Sequence, residues 1–208
     1  MSLIGWQKMR FSENQVDKSK FVHLHVHNSF SFKDGIGTPQ SRVDWSVKNN
    51  KEAVATSNHG NIADWIAIYL GAKEADIKPI LGCEFYYKRG SDDLTQALIG
   101  DKNSDDVKTV KRKYRKGINH ITMFAKNMTG YHNMLKIHND AWMNRFYFRP
   151  IVSDKKVEEN HEGIICLSGC TASEVNYLLK TKQYLLSCLL YTSPSPRDRT
   201  RSRMPSSA

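Results

Sequence analysis

The 208-residue sequence predicts an α/β domain with a largely parallel sheet or barrel, on three observations. Short runs of β-branched and aromatic residues alternate with segments of helical spacing along most of the chain. Buried-type strands recur, the longest of them, Lys78-Pro-Ile-Leu-Gly-Cys-Glu-Phe-Tyr-Tyr87, interrupted by one carboxylate, Glu84. Ligand-type polar residues sit at the ends of those runs, where α/β folds gather their chemistry.

Residues 1–20 are polar and weakly patterned and read as a lead-in. Phe21-Val-His-Leu-His-Val-His27 reads as a strand. Side chains on a strand repeat with period 2, so His23, His25 and His27 share a face, about 7 Å between successive members. Three imidazoles on one face, followed by Asp34, suit a metal site better than a packed core; a surface strand of solvated histidines is the alternative. After the Asp34-Gly-Ile-Gly37 turn, Thr38 is an N-cap with Pro39 at the first helical position, and a helix runs to about Asn49. Ala53–Ser57 is a short strand. Asn61 is expected to cap a helix over Ile62–Ala75, whose Ile62, Trp65, Ile66, Tyr69 and Leu70 fall at helical spacing. Strand Lys78–Tyr87 leads into 88–117, a polar, basic, solvent-exposed excursion. Strand His120–Ala125, a helix from about Thr129 to Met143, an irregular stretch Asn144–His161, strand Gly163–Ser168 and helix Ala172–Tyr184 follow.

The last residues break this pattern. Codon by codon, 188–198 can be written as a transposase-type short-read sequencing adapter and Ser202–Ala208 as its continuation, with Arg199-Thr200-Arg201 as the sample index between them. We read 188–208 as translated adapter, disordered, with the natural frame no longer represented after Ser187. Sequencing the locus from independent DNA tests this: the adapter-like codons are expected to be missing there. This tail carries four Arg and one Asp, hence three of the ten net positive charges. The remaining seven, many of them in 88–117, are milder evidence for a nucleic-acid partner.

No apolar run approaches the ~20 residues of a membrane span, and Met1–Lys8 lacks a signal-peptide core. Cys83, Cys166, Cys170 and Cys188 form neither a Cys-x-x-Cys pair nor a disulfide framework, so a reducing cytoplasm is the default. Cys83 and Cys166 are expected to be buried small hydrophobes, and Trp65, Tyr69, Phe85 and Trp142 packing residues rather than base-stacking platforms.

His25 and His27 close the first strand, His59 follows the second, Glu84 lies late in the third, and Cys170 stands two residues past the strand ending at Ser168. Such a series of strand ends points to a metal centre. His120 opens its strand, and joins the same end only if residues 85–120 leave and return.

Phe21–Gly35, Ser57-Asn-His-Gly-Asn61, Lys78–Tyr86, His120–Trp142 and Gly163–Val175 together resemble the N-terminal polymerase-and-histidinol-phosphatase (PHP) domain of bacterial and phage DNA polymerase III alpha subunits. The resemblance spans about residues 21–187. It implies an α/β fold of the distorted (β/α)₇ barrel type, incomplete at its C-terminal end, with a cluster of two to three divalent metal ions in the complete domain. The matching ligand positions are His25, His27, Asp34, His59, Glu84, His120 and Cys170; a further Asp-x-His pair of the family pattern lies beyond Ser187. Many relatives have Asp where this chain has Asn58, which bears on the tuning of His59. His23 is not a ligand position and reads as a polar neighbour of the site.

Ligands of mixed N, O and S type fit Zn or Mn better than Mg, and clustered divalent ions suit phosphoester hydrolysis. No Ser-His-Asp set, P-loop or dinucleotide fingerprint competes. The resemblance implies part of a DNA-directed DNA polymerase, without the polymerase carboxylates, acting on DNA with a proofreading exonuclease and a sliding clamp as replisome partners. Its own site is expected to be a metal-dependent 3′–5′ exonuclease or phosphoesterase. The alternatives are a non-catalytic metal-stapled scaffold and a free-standing histidinol-phosphate-type phosphoesterase.

Overall fold

The computed structural model describes residues 21–32, 34–91 and 117–187. The expectations for 1–20, for all but the ends of 88–117, and for the tail 188–208 lie outside the described residues.

Helix α1 (Pro39–Lys48) begins where its capping chemistry places it: the Thr38 hydroxyl accepts from the Ser41 amide at 3.1 Å, with proline at the first position. It is followed by β1 (Ala53–Thr56), α2 (Trp65–Glu74) and β2 (Lys78–Tyr87), and then by β3 (Asn119–Ala125) and α3 (Met128–Asn144). The chain continues through β4 (Phe146–Tyr147), β5 (Arg149–Val152), α4 (Asp154–Glu159), β6 (Ile164–Leu167) and α5 (Glu174–Lys180). Asn127, Ser153 and Ser173 cap α3, α4 and α5 through their side chains.

The sheet is mixed, a correction to the largely parallel expectation. Its order is β4-β5-β2-β3-β6, with β1 also paired to β2. β1 and β5 run parallel to β2, whereas β3 is antiparallel to both β2 and β6. A parallel partner requires a crossover to the opposite end of the sheet. β3 is antiparallel, so it begins at the end of the sheet where β2 finishes, setting Tyr86 opposite His120. The carboxyl ends of β1, β2 and β6 and the amino end of β3 therefore lie together.

Strand periodicity divides the work of β2. Cys83 and Phe85 enter a core with Trp65, Met123, Met134, Ile137, Ala141 and Val152, while Glu84 and Tyr86 project to the other face. A second cluster, Val43, Val54, Ile68 and Ala72, joins α1 and α2 to β1. Trp65 also donates its indole N–H to the Gly82 carbonyl at 2.9 Å, securing α2 against β2. Phe85 is 1% exposed, so Phe85→Ala is expected to cost about 3–5 kcal/mol, measured as a lowered urea midpoint.

Other expectations are corrected. Residues 21–27 form no strand, and the chain bends at His25. They are attached to the chain after β1 by one main-chain bond, from the Ser57 amide to the Val26 carbonyl at 2.9 Å, and by side chains: the Val26 amide donates to the Ser57 hydroxyl at 2.8 Å, and the Asn28 amide to Asn58 Oδ1 at 3.0 Å. A cleft of about 580 Å³ lined by His23, His25, Ala53 and Ala55 separates the rest of the segment from β1. Asn61 does not cap α2. It accepts from the Ala63 amide in a turn, and the helix starts at Trp65 after Asp64, which makes no capping bond because its carboxylate points inward to Asn28 and Thr56. The stretch read as irregular contains β4, β5 and α4. Cys83 is buried as expected but Cys166 is exposed, because β6 is an edge strand among the described residues. Tyr69, expected to pack, is 45% exposed; Trp142 is 42% exposed yet packs as expected, stacked on Phe146 with its indole bonded to Gly60.

Candidate metal centre

Glu84 stands at the focus of the shared strand ends, with a fully buried side chain and four imidazoles around it. His25 Nε2 lies 2.9 Å and His27 Nε2 3.1 Å from Oε2; His59 Nδ1 lies 3.1 Å from the same oxygen; His120 Nδ1 lies 3.0 Å from Oε1. His59 turns its other nitrogen to Asp34 Oδ2 at 2.5 Å. Three triads overlap here: His25, His27 and Glu84; His27, Asp34 and His59; His59, Glu84 and His120. Within each, the ligand-type atoms lie within 4.8 Å of one another.

Proton bookkeeping decides what these contacts are. Asn28 N–H donates to Asn58 Oδ1, which fixes the Asn58 amide, and the Ser31 hydroxyl donates its one proton to that oxygen at 3.0 Å. His27 Nδ1, 2.8 Å from the Ser31 oxygen, must then carry the proton. In a neutral imidazole this leaves His27 Nε2 as a bare lone pair facing a carboxylate oxygen. His59 Nδ1 is likewise buried with no hydrogen-bond partner, although Glu84 lies 3.1 Å away, because the contact is not aligned for a bond. Lone pairs facing one another at this range repel unless a cation lies between them. Bonds of about 2.0–2.2 Å to one ion place neighbouring ligand atoms roughly 3 Å apart, the spacing found. The residues present therefore fit a divalent cation.

Without a cation, protons take its place. Burial alone would raise the Glu84 carboxyl, but the imidazoles of His120, His27, His59 and His25, when protonated and donating to it, outweigh burial and hold Glu84 well below the usual carboxylate range. Burial lowers His59, yet its contacts with Glu84 and Asp34 bring its net shift upward. The hydrogen bond with His59 lowers Asp34. Burial raises the Cys170 thiol, followed by Glu84.

A buried polar network holds the cluster. Asn28 Nδ2 donates to Asp64 Oδ2 at 2.6 Å, and Thr56 Oγ1 donates to the same oxygen. Asn58 Nδ2 donates to Asn28 Oδ1 at 3.1 Å, and the His59 amide donates to Ser31 Oγ at 3.0 Å. Uncharged Asn58 thus positions His59 through Ser31. Gly35 closes the loop behind Asp34; a Cβ there would meet the Asn28 carbonyl oxygen at 1.9 Å. Ser31, Asn28 and Asp64 were missed in the sequence, where only the polar run Asn28-Ser-Phe-Ser31 signalled a side-chain-bonded turn.

All seven expected positions lie at this end of the sheet. Six form the triads; Cys170 Sγ lies outside them, 3.6 Å from His120 Nδ1, and accepts from the Ala172 amide at 3.3 Å. His23 packs edge-on against Trp45 and Phe21 and joins no triad. Tyr86, unanticipated, stacks on His59 at 5.9 Å and meets His120 edge-on at 5.3 Å.

Known proteins extend the picture. A DNA polymerase III subunit alpha of Borreliella burgdorferi is 34% identical over 167 residues, covering 80% of this chain and 13% of its own length. That of Treponema pallidum is 34% identical over 163 residues, 78% and 13% respectively. That of Deinococcus radiodurans is 31% identical over 167 residues, 77% and 12% respectively. The chain thus spans about an eighth of the length of these relatives. A solved structure described as a metal-dependent phosphoesterase of Bifidobacterium adolescentis covers 91% of this chain and 60% of its own at 18% identity, with a TM-score of 0.35, too distant to bear on the fold. The model of the PHP domain family matches residues 23–192, and the chain belongs to that family.

Proposed function

We propose that this chain is the N-terminal PHP domain of a DNA polymerase III alpha-type replicative polymerase, and that its cluster binds Zn or Mn for phosphoester hydrolysis. The observation that carries the reading is the convergence of His25, His27, Asp34, His59, Glu84 and His120, with His59 Nδ1 buried and without a hydrogen-bond partner. The complete domain is a distorted (β/α)₇ barrel holding two to three ions, with Cys170 as a further ligand beside His120. When bound, clustered divalent ions supply an activated water and stabilise charge on the attacking and leaving oxygens. The chain's part is to keep His27 in the tautomer that offers Nε2, to hold Asp34 and Glu84 ionised, and to exclude bulk water from Glu84.

The parent protein would work in the cytoplasm on DNA, with a proofreading exonuclease and a sliding clamp as partners. No helix among the described residues is long and apolar enough to cross a membrane. The full-length product of the locus is expected to release nucleotides from the 3′ end of a single-stranded oligodeoxynucleotide in the presence of manganese. Replacing His25 or His59 with Ala should reduce that activity to background; wild-type activity in either variant would place the chemistry elsewhere.

The cluster also sets opposite pH dependences. His59 is raised above its ordinary value, so its contribution to stability is present below about 6.5 and is lost as pH rises through the raised value. Asp34 and Glu84 are depressed, so theirs is present above the ordinary carboxylate range and is lost as pH falls. Cation binding needs neutral imidazoles and strengthens with pH. Between about pH 6 and pH 8.5, the thermal midpoint should fall with chelator present and rise with manganese present. Parallel curves would exclude the cluster as the binding site.

A further inference from the structure

The β4–β5 hairpin turns on a single residue, since Tyr147 pairs with Arg149 and only Phe148 lies between them. Phe148 adopts φ +68°, a conformation that favours glycine and is an outlier for a bulky side chain. It is also 64% exposed, so burial does not compensate the strain. A strained backbone at an exposed aromatic residue marks a candidate functional position.

Its surroundings define that contact. The Arg149 guanidinium lies 4.5 Å from the Tyr86 ring centroid and 5.8 Å from that of Phe148. Tyr86 stacks on His59, so Arg149 is one ring removed from the cluster. No carboxylate among the described residues pairs with Arg149. On the same corner, Trp142 donates to the Gly60 carbonyl at 2.7 Å and stacks on Phe146 at 5.2 Å, with interplanar angle 25°. Phe146 is 53% exposed. Gly60 follows His59, and a Cβ on it would meet the Tyr86 ring at 2.8 Å and Pro150 at 3.1 Å. The hairpin is thus pressed against the loop that carries His59. A half-buried guanidinium between the Tyr86 ring and the exposed Phe148 ring, on a chain that keeps seven net positive charges without its last 21 residues, is complementary to phosphates and bases together.

We propose that this hairpin is a single-stranded nucleic-acid subsite: Arg149 binds a backbone phosphate and Phe148 stacks a base, with Phe146 and Trp142 continuing the wall. The proposal rests on the metal-centre reading only for the direction in which the strand leads, and it names the substrate as a strand end rather than a small phosphomonoester.

Binding of oligodeoxythymidylate to the full chain, followed by tryptophan fluorescence with chelator present, tests the platform without the cluster. Phe148→Ala should weaken binding roughly tenfold, the effect of losing one base–aromatic stack. Arg149→Met should lower the slope of log affinity against log salt by about one. Phe148→Gly separates binding from structure: it should raise the urea midpoint by relieving the positive φ while weakening binding as Phe148→Ala does. A Phe148→Gly variant that loses stability, or Phe148 variants that bind as the wild type does, would overturn the proposal. Manganese titration of the same variants should be unchanged; failure of cation binding in the wild type would instead sink the metal-centre reading and leave this one standing.

Discussion

Glutamine in place of Glu84 is expected to weaken divalent-cation binding by more than about a hundredfold, since even residues that only orient metal ligands are typically worth 10–100-fold. Glu84 contributes more than orientation. Both of its oxygens face imidazole nitrogens, two histidines at Oε2 are in non-hydrogen-bonded or lone-pair contact, and its side chain is fully buried. The amide keeps the shape, removes the charge, and places an N–H₂ donor against nitrogens that a cation would use. Calorimetric titration of the full chain with manganese and with zinc measures the loss, and circular dichroism checks that the variant folds. Wild-type affinity in Glu84→Gln would remove the cluster's centre.

Asp64→Ala should produce the largest stability loss among the polar positions, about 2–4 kcal/mol in urea unfolding. Asp64 is 0% exposed and accepts from Asn28 Nδ2 and Thr56 Oγ1 at its Oδ2. Truncation leaves two buried donors unsatisfied, each costing about 1–3 kcal/mol, offset in part by removing a buried carboxylate. The effect should reach the cation as well. Asn28 is hydrogen-bonded to Asn58, and Asn58 holds Ser31, which fixes the His27 tautomer and the His59 amide. A loss of roughly 10–100-fold in manganese affinity is expected alongside the stability loss. A change under about 1 kcal/mol in unfolding would show that the network is dispensable.

Local rules made part of this molecule legible. β2 was readable over its full length because a long apolar run broken by one carboxylate has few alternatives, and the capping chemistry at Thr38 located α1. The first histidine segment was misread as a strand. His25 and His27 do converge on Glu84, but the amides of Val26 and Asn28 find side-chain acceptors on Ser57 and Asn58, which no propensity scale registers. His120 opens its strand, yet joins the carboxyl end of β2 because β3 is antiparallel, a pairing that β3's own residues do not announce. Arg149 and Phe148 carried no signal at all. A turn residue at φ +68° is ordinarily sought as glycine or asparagine, and the Tyr86–Arg149 stack is a contact between strands β2 and β5 far apart in sequence. Side chains that act through their own periodicity were legible; those whose role depends on a distant strand were not.

X-ray absorption at the zinc edge of the zinc-loaded full chain probes the central claim directly, because imidazole ligands give a characteristic outer-shell scattering pattern. A nitrogen-and-oxygen shell at about 2.0–2.2 Å with histidine scattering is expected, reduced in His59→Ala, with a sulfur contribution near 2.3 Å where Cys170 joins. A shell of oxygen alone, without imidazole scattering, would contradict it.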